Sequence, residues 1–223
     1  MMHCKSLTLW MMIIIGVLMG ADVRSQDMST QPADVDVLIA QIDETTWKDT
    51  LRVSPDSRRA AYVQKAGDKM SVVDNGKKGQ LYDMVGNIVF SPDSRRLAYV
   101  VKDKGRWFVV IDGREEKSYD SFAPHSLIFS PDGKRVAYAV KAKDRWIVVV
   151  DGREDMPCDE YKSRTLNFSP DGKHVAYAAR TGKQWFVVVD GKGKNPCDGI
   201  VAGTLSFSPD GKRMAYVAGR GDK

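Results

Sequence analysis

The chain has 223 residues, of which 43% are hydrophobic and 28% charged; this is the composition of a globular protein and excludes wholesale disorder. Its formal net charge of +5 is too small to indicate a nucleic-acid-binding protein. Three Cys residues are too few for a disulfide framework.

The N-terminal segment differs in composition from the rest. A basic start and an apolar run over residues 7–19 are followed by small residues at Gly20, Ala21 and Ser25. The run is shorter than the roughly 20 apolar residues of a membrane span, and it matches the hydrophobic region of a secretory signal peptide. We therefore expect residues 1–25 to be a signal peptide and the mature chain to be periplasmic or secreted. An uncleaved membrane anchor is the alternative.

Residues 26–47 form a leader between this segment and the rest of the chain. Alternating polar and apolar residues at 34–37 are typical of a strand, whereas the apolar residues 37–42 favour a short helix that begins near Pro32. The leader is therefore predicted to be helical or extended, with the helix preferred.

From residue 48 to the end, one ten-residue motif recurs. Its clearest copy, Phe-Ser-Pro-Asp-Gly-Lys-Arg-Val-Ala-Tyr, occupies residues 129–138. The serine of the motif stands at positions 54, 91, 130, 169 and 208, so the spacing is 37 residues once and 39 three times. A repeat of this length indicates a solenoid, a propeller or a helical array.

Hydrophobic periodicity decides among these architectures. In the unit that begins at residue 165, strands are predicted at 165–168, 175–178 and 185–189, and Asp190-Gly191 is a strong hairpin signal before a more polar fourth strand. Four antiparallel strands in about 40 residues correspond to one propeller blade. The predicted fold is an all-β propeller over residues 48–223, with blades at 50–86, 87–125, 126–164 and 165–203 and a partial unit at 204–223.

The motif, followed by a third strand that ends in Asp-Gly, resembles the WD-like propeller repeats of bacterial TolB-type proteins. The propeller domains of dipeptidyl-peptidase-type enzymes share such repeats. The resemblance covers residues 50–223 and implies the fold, whereas propellers of this kind host many functions. The sequence contains neither the hydrolase domain of the peptidase propellers nor the separate N-terminal domain of TolB-type proteins.

The partial fifth unit leaves the closure of the ring open at this stage. Four blades with an overlapping last hairpin, a fifth blade completed by residues 35–42, and an open arc that another copy finishes are all compatible with the sequence, as is a truncated chain. We favour an incomplete five-bladed arrangement.

Several chemistry-bearing residues recur in every unit or nearly so. Trp residues at one position of the third strand could form a glycan-binding ladder, and Asp residues after the fourth strand could hold a cation. Packing and turn capping are the preferred interpretations, because a residue present in each unit serves something that each unit needs. The two sets are Trp107, Trp146 and Trp185, and Asp83, Asp120, Asp159 and Asp198.

The Cys residues of the repeats are interpreted in the same way. Cys158 and Cys197 stand where earlier units have Tyr82 and Tyr119. The position is therefore predicted to be a packing site filled by Tyr or by free Cys, which behaves as a small hydrophobic residue.

Positions that differ between units are better candidates for ligand contact, because binding loops vary on a rigid scaffold. The variable position of the first strand and the loop before it supply the candidates. The predicted ligand-facing loop or channel residues are Arg52, His125, Tyr161, Arg164, Asn167 and Ser206.

No Gly-x-Ser-x-Gly elbow, metal-binding His pair or phosphate loop occurs in the sequence. We therefore expect a non-catalytic exported propeller, without cofactor or metal, that acts as a protein-interaction or cell-envelope binding scaffold. The expected partner is a protein or an envelope component and not a nucleic acid. Membrane contact is expected only through an uncleaved signal, and homo-oligomerisation is one way to complete the ring. The alternatives are a glycan-binding or glycoside-acting propeller and a truncated piece of a longer TolB-like protein.

Overall fold

A computed structural model describes residues 38–40 and 42–219 of the chain, and its regular elements are all β-strands. The predicted signal peptide lies outside these residues. Within the described part, no helix is long and apolar enough to cross a membrane.

The first two blades are four-stranded antiparallel sheets in which the strands pair in sequence order. The first blade contains β1 (Thr46–Val53), β2 (Ala60–Ala66), β3 (Lys69–Asp74) and β4 (Lys77–Lys78). The second contains β5 (Met84–Phe90), β6 (Leu97–Asp103), β7 (Arg106–Ile111) and β8 (Arg114–Glu115).

In the third and fourth blades the first strand is split into two short pieces that pair with the same second strand. The third blade contains β9 (Ser121–Phe122), β10 (Ile128–Phe129), β11 (Val136–Ala142), β12 (Arg145–Val150) and β13 (Arg153–Glu154). The fourth contains β14 (Glu160–Tyr161), β15 (Asn167–Phe168), β16 (Val175–Thr181), β17 (Gln184–Val189) and β18 (Lys192–Cys197). A fifth unit pairs β19 (Gly199–Ile200) with β22 (Ala218–Gly219) and β20 (Ser206–Phe207) with β21 (Met214–Ala215).

The repeat pattern produces these blades because each unit encodes two hairpins and a buried central pair. The second and third strands carry Val, Ala and Tyr residues that are buried on both faces, as in β11, where five successive residues are buried. Each face packs against the adjacent blade: one core cluster joins Val100 and Val109 of the second blade to Tyr138 and Val140 of the third. All extensive packing between blades joins neighbours along the chain.

The first strands lie on the side where neighbouring blades converge. β1 packs against β5, and the Asn167 side-chain nitrogen donates to the Leu205 carbonyl oxygen of the following unit at 2.8 Å. Blades of a propeller approach one another most closely at the central axis. The first strand is therefore the inner strand of each blade.

The recurring motif forms a tight turn whose side chains satisfy its own backbone. In the third blade, the buried Ser130 hydroxyl donates to Asp132 Oδ1 at 2.6 Å and accepts from the Arg135 backbone nitrogen at 2.9 Å. The same carboxylate oxygen accepts from the Lys134 nitrogen at 3.2 Å. The motif Asp therefore serves its own turn.

The motif arginine joins one blade to the next. Arg135 pairs with Asp151 of its own blade at 2.8 Å and donates to the carbonyl oxygens of Gly172 and Lys173 in the next blade at 3.1 and 2.6 Å. Its guanidinium also lies over the next blade's Phe168 ring. Arg59 and Arg96 make equivalent contacts with the Phe rings and turn carbonyls of their following blades.

The recurring Asp residues at the opposite end of the blades also join neighbours. Asp83 Oδ2 accepts from the Lys104 backbone nitrogen at 2.7 Å, and Asp120 Oδ2 from the Lys143 nitrogen at 2.9 Å. The predicted capping role is therefore right in kind, but the capped turn is the hairpin of the following blade. Among the described residues, no group of three His, Cys, Asp or Glu side chains could hold a metal ion.

Of the two conformations predicted for the leader, the described residues show no helix and are consistent with the extended one. Residues 38–40 are irregular, Ile42 forms a single β-bridge, and β1 already begins at Thr46. Ile42 is 4% exposed and packs with Tyr62 and Val73 on the face of the first blade that the second blade leaves free. Burial against a sheet face thus overrides the local preference for a helix.

Candidate functional site

Four of the five inner strands contain a four-residue segment that leaves the regular pairing with the second strand, as a turn in three units and as a bulge within β1 in the first. The inner turns, as we name them, are residues 47–50, 123–126, 162–165 and 201–204. In the third blade, for example, the segment lies between the two pieces of the inner strand, β9 and β10, and is bound to Ala139 in the middle of β11. They form a row of equivalent positions along the inner edge.

A side-chain hydroxyl closes each inner turn. In the fourth blade, Thr165 Oγ1 donates to the Lys162 carbonyl oxygen at 2.6 Å and accepts from the Ala178 backbone nitrogen at 3.0 Å. Ser126 makes the same pair of contacts with Ala123 and Ala139 at 2.7 and 3.0 Å. Thr50 and Thr204 repeat the arrangement in the first and fifth units. The hydroxyl thereby joins each turn to the second strand.

The residue before the closing hydroxyl projects from the turn. His125 and Arg164 are exposed and have φ angles of 59° and 62°, in the left-handed region that side chains rarely adopt. Gly203 has φ 78° at the equivalent place, and Asp49 occupies it in the first blade. The turn is retained from blade to blade, whereas its exposed residue differs. This pattern favours a residue that contacts a partner over one that supports the fold.

The second blade lacks an inner turn. Its inner strand β5 has a bulge of only two unpaired residues between Val85 and Ile88, against four between Trp47 and Arg52 of β1, because this unit is two residues shorter. Asn87 stands where the other units have the closing Ser or Thr. The row of inner turns therefore contains one gap.

The structure separates the remaining predicted site residues. Arg52 is exposed and donates to the Asp49 carbonyl oxygen of its own turn at 3.0 Å, and Ser206 is exposed on the inner strand of the fifth unit. Asn167 is half-buried and bonds to that same unit. Tyr161 is 7% exposed and lies in the core, where its ring is 6.2 Å from that of Trp146 and burial raises its pKa to about 12.

The recurring Trp and Cys residues pack. Trp185 is 8% exposed, and Trp107 and Trp146 are half-buried against the adjoining core clusters. Cys158 is buried, and burial raises the pKa of its thiol to about 11. Both Cys158 and Cys197 are free.

Sequence reasoning missed three clefts beside the Asp-Gly turns, at the end of the blades that also carries the Ser-Pro-Asp turns. They lie between successive blades and enclose about 330, 610 and 480 Å³. Equivalent residues line all three, but their charges differ. The signal in the sequence is the fourth strand, which reads Lys77-Lys78-Gly79 in the first blade and Arg153-Glu154-Asp155 in the third.

Four radiating antiparallel sheets with inner strands in contact define a WD-like β-propeller. No protein-family model and no curated protein matches the chain. A solved eukaryotic initiation factor is 13% identical with a TM-score of 0.51, over 81% of this chain and 50% of that one, which is a likeness of fold alone.

TolB from Acinetobacter baumannii is 16% identical over 88% of this chain and 48% of its own, with a TM-score of 0.40. Kuenenia stuttgartiensis hydrazine synthase is 21% identical over 74% and 54%, with a TM-score of 0.41. The chain thus spans about half the length of each of these three proteins.

Proposed function

We propose that the chain is a non-catalytic, exported β-propeller that binds a protein of the cell envelope through its inner turns. The observation that carries the proposal is the pair His125 and Arg164, two different exposed side chains held at the same place on hydroxyl-closed turns. Export is supported by the signal-like composition of residues 1–25.

The assignment of the recurring residues to the scaffold supports a binding role over catalysis. Asp132 holds its own turn, Asp120 caps the next blade's hairpin, and Trp185 is buried. The Trp ladder that a glycan-binding propeller would use is packed between blades. The exposed residues of the inner turns, by contrast, differ from one unit to the next.

The test is affinity capture from a cell-envelope extract with the purified mature chain. A protein partner should be captured by the wild type and lost, by at least about tenfold, in the double variant His125→Ala, Arg164→Ala. The matched control is Lys134→Ala, Lys173→Ala, which removes two cations that are 80% and 76% exposed in the Ser-Pro-Asp-Gly-Lys turns of the same two blades.

Equal loss in both double variants would contradict the proposal, because it would indicate diffuse charge attraction. Capture of a glycan on an array in place of any protein would favour the glycan-binding alternative. Dissociation constants measured with the purified partner then give the contribution of each turn.

A further inference from the structure

The cleft between the first and second blades, which we name the Lys77 cleft, differs from its two equivalents. It encloses about 330 Å³, at the lower end of the range of small-molecule sites. Its lining includes Arg59, Asp74, Lys77, Lys78, Gly79 and Tyr99. Because equivalent positions of the repeat build all three clefts, the residues that line them can be compared position by position.

The residue that follows the first two residues of the fourth strand, Gly79 in the first blade and Asp155 in the third, lies beside a tyrosine of the next blade. Its identity determines the contact that the tyrosine hydroxyl makes. Between the third and fourth blades, Asp155 Oδ2 accepts from the Tyr177 hydroxyl at 2.8 Å. In the first blade the equivalent residue is Gly79, and a Cβ added there would lie 3.4 Å from the Tyr99 hydroxyl oxygen. Within residues 42–219 the Tyr99 hydroxyl has no hydrogen-bond partner. The cleft therefore contains an unused donor and the space of the missing carboxylate.

The charge of the Lys77 cleft is also unbalanced. Its two carboxylates are neutralised, since Asp74 pairs with Arg59 at 2.7 Å and Asp112 with Arg96 at 2.9 Å. Lys77 and Lys78 are exposed, and neither has a carboxylate within 4 Å in the described part of the chain. Positive charge is thus left over beside the unused Tyr99 donor.

Asp74 is a further departure from the repeat. It pairs in register with Ala61, where the second and third blades place the apolar Ile111 and Val150 opposite their alanines. Its Oδ2 binds Arg59, whereas Oδ1 is buried without a partner. The carboxylate therefore has acceptor capacity that the protein itself does not use.

We propose that the Lys77 cleft binds a small hydroxylated anion, a sugar phosphate or a sugar acid. The anionic group takes the place of the carboxylate that Asp155 supplies in the other cleft. It accepts from the Tyr99 hydroxyl and from the ammonium groups of Lys77 and Lys78, since charge-assisted hydrogen bonds to a desolvated anion are the strong ones. Because Oδ1 of Asp74 is buried, the ligand reaches only Oδ2, which accepts a hydrogen bond from a hydroxyl group of the ligand beside the one from Arg59.

The test is calorimetric titration of the mature chain at low ionic strength with glucose 6-phosphate, glucuronate, inorganic phosphate and neutral glucose. Saturable binding of at least one sugar anion, with a dissociation constant of about 1 mM or below, and none of glucose is expected. Tighter binding of glucose 6-phosphate than of phosphate is the expected signature of Asp74. Which of the two sugar anions binds tighter assigns the ligand class.

Gly79→Asp should weaken binding by at least about tenfold, because its carboxylate occupies the anion's place as Asp155 does. Tyr99→Phe removes only the hydroxyl donor and should also weaken binding. This variant provides the test if Gly79→Asp does not fold. The matched control is Lys192→Ala, Lys194→Ala, which removes two cations from the equivalent strand of the fourth blade. It should leave the dissociation constant within about twofold.

Three results would overturn the assignment. The first is absence of saturable binding of every anion, the second is unchanged binding in both Gly79→Asp and Tyr99→Phe, and the third is equal weakening in the lysine control. Equal weakening in the lysine control would show that the anion is attracted by the overall positive charge and not bound at a specific site.

Discussion

The guanidinium of Arg135 in the third blade lies 5.3 Å from the ring centroid of Phe168 in the fourth. Both residues belong to the recurring motif, so the same ten residues build a turn and fasten it to the turn beside it. Arg135→Ala should lower the free energy of unfolding by about 2 kcal/mol, since it removes hydrogen bonds of a charged donor and a cation–π contact. Urea denaturation followed by tryptophan fluorescence measures this.

Arg213→Ala is the control for that variant. Arg213 occupies the same motif position in the fifth unit and is exposed. Its removal should change stability by no more than about 0.5 kcal/mol. Equal effects of the two variants would mean that the contact between blades contributes nothing.

Gly133 closely approaches the preceding blade. A Cβ at this residue would lie within 3.0 Å of three carboxylate atoms of Asp93, which Ser91 and Arg95 hold in place. Gly133→Ala should therefore cost about 1 kcal/mol more than Gly105→Ala, which shares the positive φ but has open space around it. Thermal and urea unfolding of the two variants give the difference, and Asp93→Ala should abolish it in a double-mutant cycle.

Thr165 closes the inner turn that carries Arg164. Thr165→Val keeps the shape but leaves the Lys162 carbonyl and the Ala178 amide without their partner, at a cost of about 1–3 kcal/mol. Hydrogen exchange should show faster exchange of the Ala178 amide. Thr181→Val, at an exposed hairpin position, should leave both quantities unchanged.

Acid should destabilise the protein through the motif carboxylates. A hydrogen bond from Ser169 lowers the pKa of Asp171 from its ordinary 3.8 to about 2, and the Ser91 hydroxyl likewise lowers the pKa of Asp93. The unfolded chain then binds protons at higher pH than the folded one, so this contribution is complete above about pH 4 and is lost towards pH 2.

The corresponding measurement is the urea midpoint between pH 6 and pH 2. Ser169→Ala removes the largest cause of the shift, so its midpoint should fall less steeply with pH than that of the wild type. Ser163→Ala, at an exposed turn position, should keep the wild-type slope. A steeper fall in Ser169→Ala would contradict the assignment.

The fold was predictable from the sequence because each blade encodes its own strands and turns. The spacing of Ser130 and Ser169 gives the repeat, and Asp-Gly pairs such as Asp151-Gly152 mark the hairpins. The contacts between blades were not predictable in this way. The turn atoms of the next blade that Arg135 and Asp120 bind lie more than 20 residues away, and no local pattern specifies them.

The candidate site was predictable only in part. His125 and Arg164 differ from their counterparts, and this variation indicated the inner turns. Tyr161 varies too, yet it is buried, because a sequence of repeats does not show which varying residues face inward. The Lys77 cleft was missed because its features are an absent side chain at Gly79 and a buried Asp74, which are visible only when the neighbouring blades stand in place.

The shortened second blade has a consequence for recognition. The backbones of the blades repeat around the axis, so a partner that contacted only the backbone would find several equivalent angular positions. The continuous β5, with Asn87 in place of a closing hydroxyl, breaks this equivalence at one point. A partner that contacts both Asp49 and His125, on either side of the second blade, would therefore bind in a single orientation.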